Sequence, residues 1–185
     1  MAIVDDRTAY GQGLADVVEK VAKEKGIKVV AREFATDKTT DFNAILTKIR
    51  GTKPDVVFYG GMDATAGPMA KQMKQLGIKS VLLAGDGVCS PEFIKLAGDA
   101  AGIMHCSMAG EAVEKLAKGA EFKAKFKAAF NQDVQIYSPY SYDAVYIIAD
   151  AAKRSGKADR AAISAAVPAT NYPGLTGTIM FDEKG

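Results

Sequence analysis

Four side chains in this 185-residue sequence have the chemistry to grip a small zwitterion: Tyr10, Tyr59, Asp86 and Tyr137. The three phenols offer aromatic walls and hydroxyls, and the carboxylate offers a partner for an ammonium group. Tyr59 is followed by Gly60-Gly61, and Asp86 stands between Gly85 and Gly87. Glycines keep such a rim low, so that a ligand approaches the backbone. All four side chains are expected at strand ends or helix starts on one rim.

Other chemistries find less support. Gly11-Gln12-Gly13-Leu14-Ala15-Asp16 approaches a dinucleotide fingerprint, but Asp16 stands where glycine or alanine is needed. Gly11 also lies too far beyond Asp6 for a tight strand-to-helix turn. Asp5-Asp6 has the acidic pair of a phospho-receiver, whose chemistry also needs an aspartate at the end of the third strand, where Tyr59 stands. One of the two is therefore expected to cap the loop and the other to face water. His105 is the only histidine. With two well-separated cysteines it makes no metal set, and it completes no Ser-His-Asp or Cys-His arrangement. The expectation is no catalytic residue, no metal and no cofactor. Cys89 and Cys106 follow adjacent elements, so a disulfide and a pair of buried thiols both remain open. The lysines from Lys115 to Lys127 flank a Phe122/Phe126/Phe130 stripe and read as a solvated helix face.

The elements that position the rim are legible from residues 56 to 88. Val56-Val57-Phe58-Tyr59 and Val81-Leu82-Leu83-Ala84 are short apolar runs. Between them Ala66, Met69, Ala70 and Met73 recur at i, i+3, i+4 and i+7, the pattern of an amphipathic crossover helix. In such units ligands sit outside the carboxyl ends of the strands. Ile3-Val4 forms an earlier strand. A helix opens at Tyr10-Gly11-Gln12-Gly13, with Leu14, Val17, Val18 and Val21 as its buried stripe and Gly26 as C-cap. Lys28 to Phe34 is a strand, and Asp41 caps a helix carrying Phe42, Ile45, Leu46 and Ile49. Pro68 either sits in the first turn of its helix or kinks it. Ser90-Pro91-Glu92 starts a short helix, and Met104 to Ser107 is a fifth strand. Residues 119 to 131 are helical, 134 to 137 extended and broken by Pro139, and 143 to 155 an apolar helix. Asp159 caps another helix, and Thr176 to Phe181 is a last strand. This alternation predicts an α/β fold with a doubly wound parallel sheet and flavodoxin-like layering.

Lys and Arg total 24 against 22 Asp and Glu, a formal charge of +2. That balance argues against a nucleic-acid binder or an anionic-membrane binder. The sequence shows neither a signal peptide nor a run of 18 apolar residues and reads as soluble. Met1-Ala2 runs straight into a strand, and Phe181-Asp182-Glu183-Lys184-Gly185 stops in a turn signal, so the chain reads as a fragment or an engineered piece.

Asp5-Asp6-Arg7-Thr8-Ala9-Tyr10-Gly11-Gln12-Gly13, Val57-Phe58-Tyr59-Gly60-Gly61, Gly85-Asp86-Gly87-Val88 and Gly177-Thr178-Ile179-Met180-Phe181-Asp182-Glu183-Lys184-Gly185 together resemble the leucine/isoleucine/valine-type periplasmic binding proteins. These are the receptors of branched-chain amino-acid ABC importers. The resemblance implies a type I lobe: residues 1–137 as the second, ligand-binding lobe and 138–185 as the crossover returning to the first. It implies Tyr10 and Tyr59 near the ligand's α-carbon, Asp86 on its ammonium and Tyr137 on the side-chain wall. The family often carries Glu at the position of Asp86. It further implies an amino-acid ligand, importer membrane subunits as partners, a periplasmic parent and a Cys89–Cys106 disulfide. With the first lobe absent, the helix at 143 to 155 is expected to be covered in one of two ways. A homodimer would do it, or the tail would fold back with Thr176 to Phe181 as an edge strand. Two further readings are an effector-sensing domain of a regulator, for which no DNA-reading helix-turn-helix is seen, and an isolated lobe without ligand function.

Overall fold

Alternation along the strands fixes which side chains enter which core. The computed structural model describes residues 1–108 and 110–185. They form two units, Met1–Ala109 and Gly110–Gly185. In the first unit, β1 (Ala2–Asp5), β2 (Ala31–Phe34), β3 (Val56–Gly60), β4 (Val81–Ala84) and β5 (Met104–Cys106) form one parallel sheet in the order β2-β1-β3-β4-β5. Val4, Val57, Tyr59, Leu82 and Ala84 share the larger core with α2 (Asn43–Thr52), α3 (Asp63–Gln75) and α4 (Pro91–Ala97). Ile3, Phe58 and Leu83 point the other way and pack on Leu14, Ala15 and Val18 of α1 (Ala9–Glu24). The doubly wound parallel sheet is thus as expected. Its order reverses between β1 and β3, and the crevice of such a sheet opens at the carboxyl ends there.

Several local expectations need correction. The buried residues of α1 are Gly11, Ala15 and Ala22, whereas Val17 and Val21 are exposed. Small side chains hold the fully buried centre of this face, and Leu14 and Val18 pack partly buried beside them. β2 begins at Ala31, not at Lys28. Pro68 lies inside α3, which already starts at Asp63, so the first-turn reading of Pro68 does not hold. Neither aspartate of the Asp5-Asp6 pair faces water; both are buried. Asp5 accepts from the Arg7 N–H at 2.9 Å and from Arg32 Nη2 at 2.6 Å. Asp6 accepts from the Thr8 N–H at 2.9 Å and the Thr8 hydroxyl at 2.6 Å. Ser90 caps α4 as its sequence suggests, accepting from Phe93 N–H at 3.1 Å.

The second unit holds α5 (Gly119–Phe130), α6 (Ser138–Ser155), α7 (Arg160–Ala166) and an antiparallel pair, β6 (Asn171–Pro173) with β7 (Thr178–Met180). Its rings form a continuous ladder, Phe130–Phe126–Phe122–Tyr142–Tyr146–Tyr172, with neighbouring centroids 4.7 to 6.4 Å apart. Asp143, buried in α6, fastens the β6–β7 loop by accepting from Leu175 N–H, Thr176 N–H and the Thr176 hydroxyl. Residues 134–137 form no strand, and Pro139 opens α6 from its first turn instead of breaking an element. β7 pairs with β6 and not with the parallel sheet, so the edge-strand expectation for Thr176 to Phe181 is not met. The lysines of α5 stand in exposed ion pairs, Lys123 with Glu114 and Lys125 with Glu121, as a solvated face should.

Gly11, with Gly60, is among the tightest glycine positions of the first unit. A Cβ there would lie 2.2 Å from Asp6 Oδ1 and 2.4 Å from the Gly60 carbonyl oxygen, whereas one at Gly13 would meet nothing within 4 Å. Gly11→Ala is therefore expected to destabilise the chain by about 2–3 kcal/mol in urea unfolding. Gly13→Ala, on the exposed side of the same helix, should stabilise it by about 0.5–1 kcal/mol. Equal effects at the two positions would contradict this packing.

Candidate functional site

The site grows from the turn after β1. Asp6 fixes Thr8, and the Thr8 hydroxyl caps α1 by accepting from Gly11 N–H at 2.9 Å. Tyr10 is the second residue of the helix so anchored, and its ring, 37% exposed, reaches the turn after β4. There its hydroxyl donates to Asp86 Oδ1 at 2.9 Å and accepts from Gly87 N–H at 3.1 Å. Asp86 opens a single 3-10 turn, Asp86–Val88, directly beyond the strand. The flanking glycines are needed for contact and not for an unusual backbone. A Cβ at Gly85 would lie 2.7 Å from Tyr10 Oη, and one at Gly87 would lie 2.6 Å from Met62 Sδ and 3.1 Å from Tyr10 Oη.

Tyr10 and Asp86 are thus brought together as expected of neighbours on one rim. Tyr59 is placed differently. It shares its face of β3 with Val57, so alternation turns its ring into the core, where it is fully buried. It meets Phe42 edge-on at 6.1 Å, and its hydroxyl lies 2.6 Å from Thr65 Oγ1. An expectation of direct ligand contact at Tyr59 gives way to support from beneath: a Cβ on Gly61 would press against the Tyr59 hydroxyl at 2.6 Å. The rim position near that strand end belongs to Met62, the N-cap of α3, which is 45% exposed. Sequence reading passed over Met62 because a thioether carries no charge or hydroxyl. Its signal was its position, the first side chain after Gly60-Gly61. Tyr137 belongs to the second unit, at the N-cap of α6. With Phe122, Phe126, Phe130, Tyr142 and Val145 it lines an apolar hollow of about 650 Å³ in that unit.

Burial of its ring pushes the Tyr10 phenol above the ordinary tyrosine value, the Gly87 N–H opposes this and Asp86 adds to it. A neutral phenol is the donor that Asp86 needs to keep one oxygen fixed. Burial pushes Tyr59 up to about 12, with the Thr65 hydroxyl opposing. Cys89 and Cys106 are joined by a disulfide with Cα atoms 5.8 Å apart. His105 is exposed on β5, and among the described residues no group of three or more His, Cys, Asp or Glu is placed to hold a metal ion. What the rim can do is bind: an oriented carboxylate beside a phenol and a thioether, over glycine backbone, suits an ammonium group attached to an apolar body.

Residues 1–185 match the family model described as periplasmic binding protein. A Leu/Ile/Val-binding protein homolog from Brucella abortus is 34% identical over the whole chain, which covers 50% of that relative. A leucine-, isoleucine-, valine-, threonine- and alanine-binding protein from Pseudomonas aeruginosa is 31% identical, with 49% of its length covered. Among solved structures, a leucine-binding protein from Thermotoga maritima superposes with a TM-score of 0.85 at 26% identity, over 100% of this chain and 53% of the other. A branched-chain amino-acid transporter substrate-binding protein from Streptococcus pneumoniae, solved with isoleucine, gives 0.81 at 26% identity over 98% and 52%. The chain spans about half the length of the curated relatives it matches.

The buried Tyr59 phenol has a consequence in alkali. Its folded-state pKa lies above the ordinary 10.0, so its contribution to stability is whole below pH 10 and is lost as pH rises through about 12. Tyr59→Phe is expected to flatten the alkaline unfolding profile over that window, followed by circular dichroism. Superimposable profiles would contradict the buried placement.

Proposed function

Because the chain belongs to the periplasmic binding protein family, we propose that it forms one lobe, with the crossover beyond it, of a two-lobed receptor. That receptor captures an amino acid in the periplasm and delivers it to the membrane subunits of an ABC importer. Residues 1–137 are the ligand-binding second lobe and residues 138–185 the segment that returns to the first. The role is capture and release, with no bond made or broken.

The observation that carries this reading is the Tyr10–Asp86 hydrogen bond at the carboxyl edge of the sheet. Asp86 receives the ligand's ammonium, and Tyr10 and Met62 cover the carbon next to it; Tyr137 lines its own apolar hollow in the second unit. The first lobe supplies the donors for the ligand's carboxylate. A branched-chain or related amino acid is the substrate class, supported by relatives named for binding leucine, isoleucine and valine.

Three measurements test it. In the two-lobed receptor, Asp86→Ala is expected to weaken leucine binding by about 1.5–3 kcal/mol, the scale of a charged hydrogen bond. Unchanged affinity in calorimetry would remove Asp86 from the site. The chain by itself has half the clamp and should show no thermal shift with millimolar leucine or valine. A ligand at about 100 times its Kd would add about 2.7 kcal/mol, so a clear shift would count against the division into halves.

The third concerns α6, where Val145 and Ile148 are exposed. In the receptor this apolar face belongs against the first lobe. In the chain alone we expect two copies to bury it against each other, because monomers seldom leave such faces bare. Light scattering after size exclusion should give about twice the chain mass at micromolar concentration, by the two-fold closure usual for small assemblies. A monodisperse monomer would refute the pairing.

A further inference from the structure

We propose that the Cys89–Cys106 disulfide is a positioning device for ligand capture, holding the turn that carries Asp86 at the angle at which its carboxylate meets an amino group. The inference rests on the receptor reading above and goes beyond it to the residues that hold the site in place.

The geometry is that of a short strap tied at both ends to one residue. At its start, Ala84 of β4 is the ladder partner of Cys106 in β5, and Ser107 N–H donates to the Ala84 carbonyl at 3.1 Å. At its end, Cys89 is bonded to the same Cys106 through sulfur. Between lie Gly85, Asp86, Gly87 and Val88. The two glycines contribute no side chains, so the backbone on either side of Asp86 is placed by the strap's ends and by hydrogen bonds. The Cys89 N–H closes the turn onto the Asp86 carbonyl at 2.9 Å, and the Val88 N–H reaches Gly85 at 3.2 Å. The bridged residue is thus bonded directly to the backbone of the ligand-facing one.

Other anchors act elsewhere. Val88 is buried in the larger core, and Ser90 Oγ donates to Asp63 Oδ2 at 2.5 Å, which secures the start of α4 against α3. Neither of these two anchors touches the Asp86 carbonyl, onto which the Cys89 N–H closes. Tyr10 holds the Asp86 side chain from above, and that bond keeps its length only while the turn keeps its place. A site held to within about half an ångström needs such support behind the contacting residue.

The test has an arm that needs no ligand. In this chain, replacing both cysteines (Cys89→Ser with Cys106→Ser) is expected to speed hydrogen exchange at the Gly87 and Val88 amides by at least about tenfold, with β3 amides changed less than about twofold. Should that variant fail to fold, the wild-type chain reduced with a dithiol serves instead. The dithiol gives two electrons and two protons to the bridge, leaves two protein thiols and closes into its own cyclic disulfide. In the two-lobed receptor, well below Tm, the same substitutions should weaken leucine binding by at least about fivefold. In an Asp86→Asn background they should add less than about twofold, because the two act through one group. A bridge that served stability alone would lower Tm and leave leucine affinity and this coupling unmoved. Unchanged exchange at Gly87, or additive effects on affinity, would overturn the inference. A receptor that binds no leucine with the bridge intact refutes the receptor reading instead, and the exchange arm then still decides whether the bridge holds the turn.

Discussion

Helix α1 and strand β3 meet backbone to backbone. A Cβ at Gly60 would lie 2.2 Å from the Gly11 carbonyl oxygen, and one at Gly11 would lie 2.4 Å from that of Gly60. Only hydrogen fits at both places. This contact draws the start of α1 down onto the carboxyl edge of the sheet, where Asp6 holds Thr8 and Thr8 holds Gly11. Tyr10 precedes Gly11 by one residue, so the depth of that contact sets how far its hydroxyl reaches. It reaches Asp86, 76 residues on in sequence. The candidate site is therefore a consequence of one close approach, made where the sheet order reverses and a crevice must open.

The division of work among the aromatic residues follows from the same sheet. On β3, alternation sends Tyr59 into the core with Val57, where its phenol is neutral and bonded to Thr65. Tyr10 rises from a helix start and keeps one edge in solvent. Two tyrosines on adjacent elements thus serve opposite ends: one stiffens the floor under Gly61, the other orients a carboxylate. Apolar cover on the rim comes from Met62, a flexible side chain suited to ligands of varied shape.

The five strands of the parallel sheet and the glycine-flanked turns were legible in the sequence, because β-type runs separated by helical spacing leave few topologies. The Asp86 turn was legible for the same reason, a polar residue between glycines at a strand end. What was not legible depended on distance. Nothing in the valines at 17 and 21 says that α1 turns Gly11, Ala15 and Ala22 fully inward, with Leu14 and Val18 partly buried beside them. The burial of Asp5 depends on Arg32, whose guanidinium arrives from the neighbouring strand to pair with it, and that of Asp6 on Thr8. Tyr59 has the chemistry and strand-end position of a rim residue, but its step of two from the buried Val57 turns it inward. β6 is three residues long and ends in proline, too short a run to stand out before its partner is known.

The proposed role of Asp86 is to receive an ammonium ion. The most direct measurement compares leucine with 4-methylpentanoate, the same molecule without its amino group, by calorimetry in the two-lobed receptor with and without Asp86→Ala. A site built on Asp86 should favour leucine by at least about 1.5 kcal/mol with the aspartate present, and most of that preference should vanish with it. A preference for leucine that survives the substitution undiminished would place the ammonium elsewhere and contradict the account.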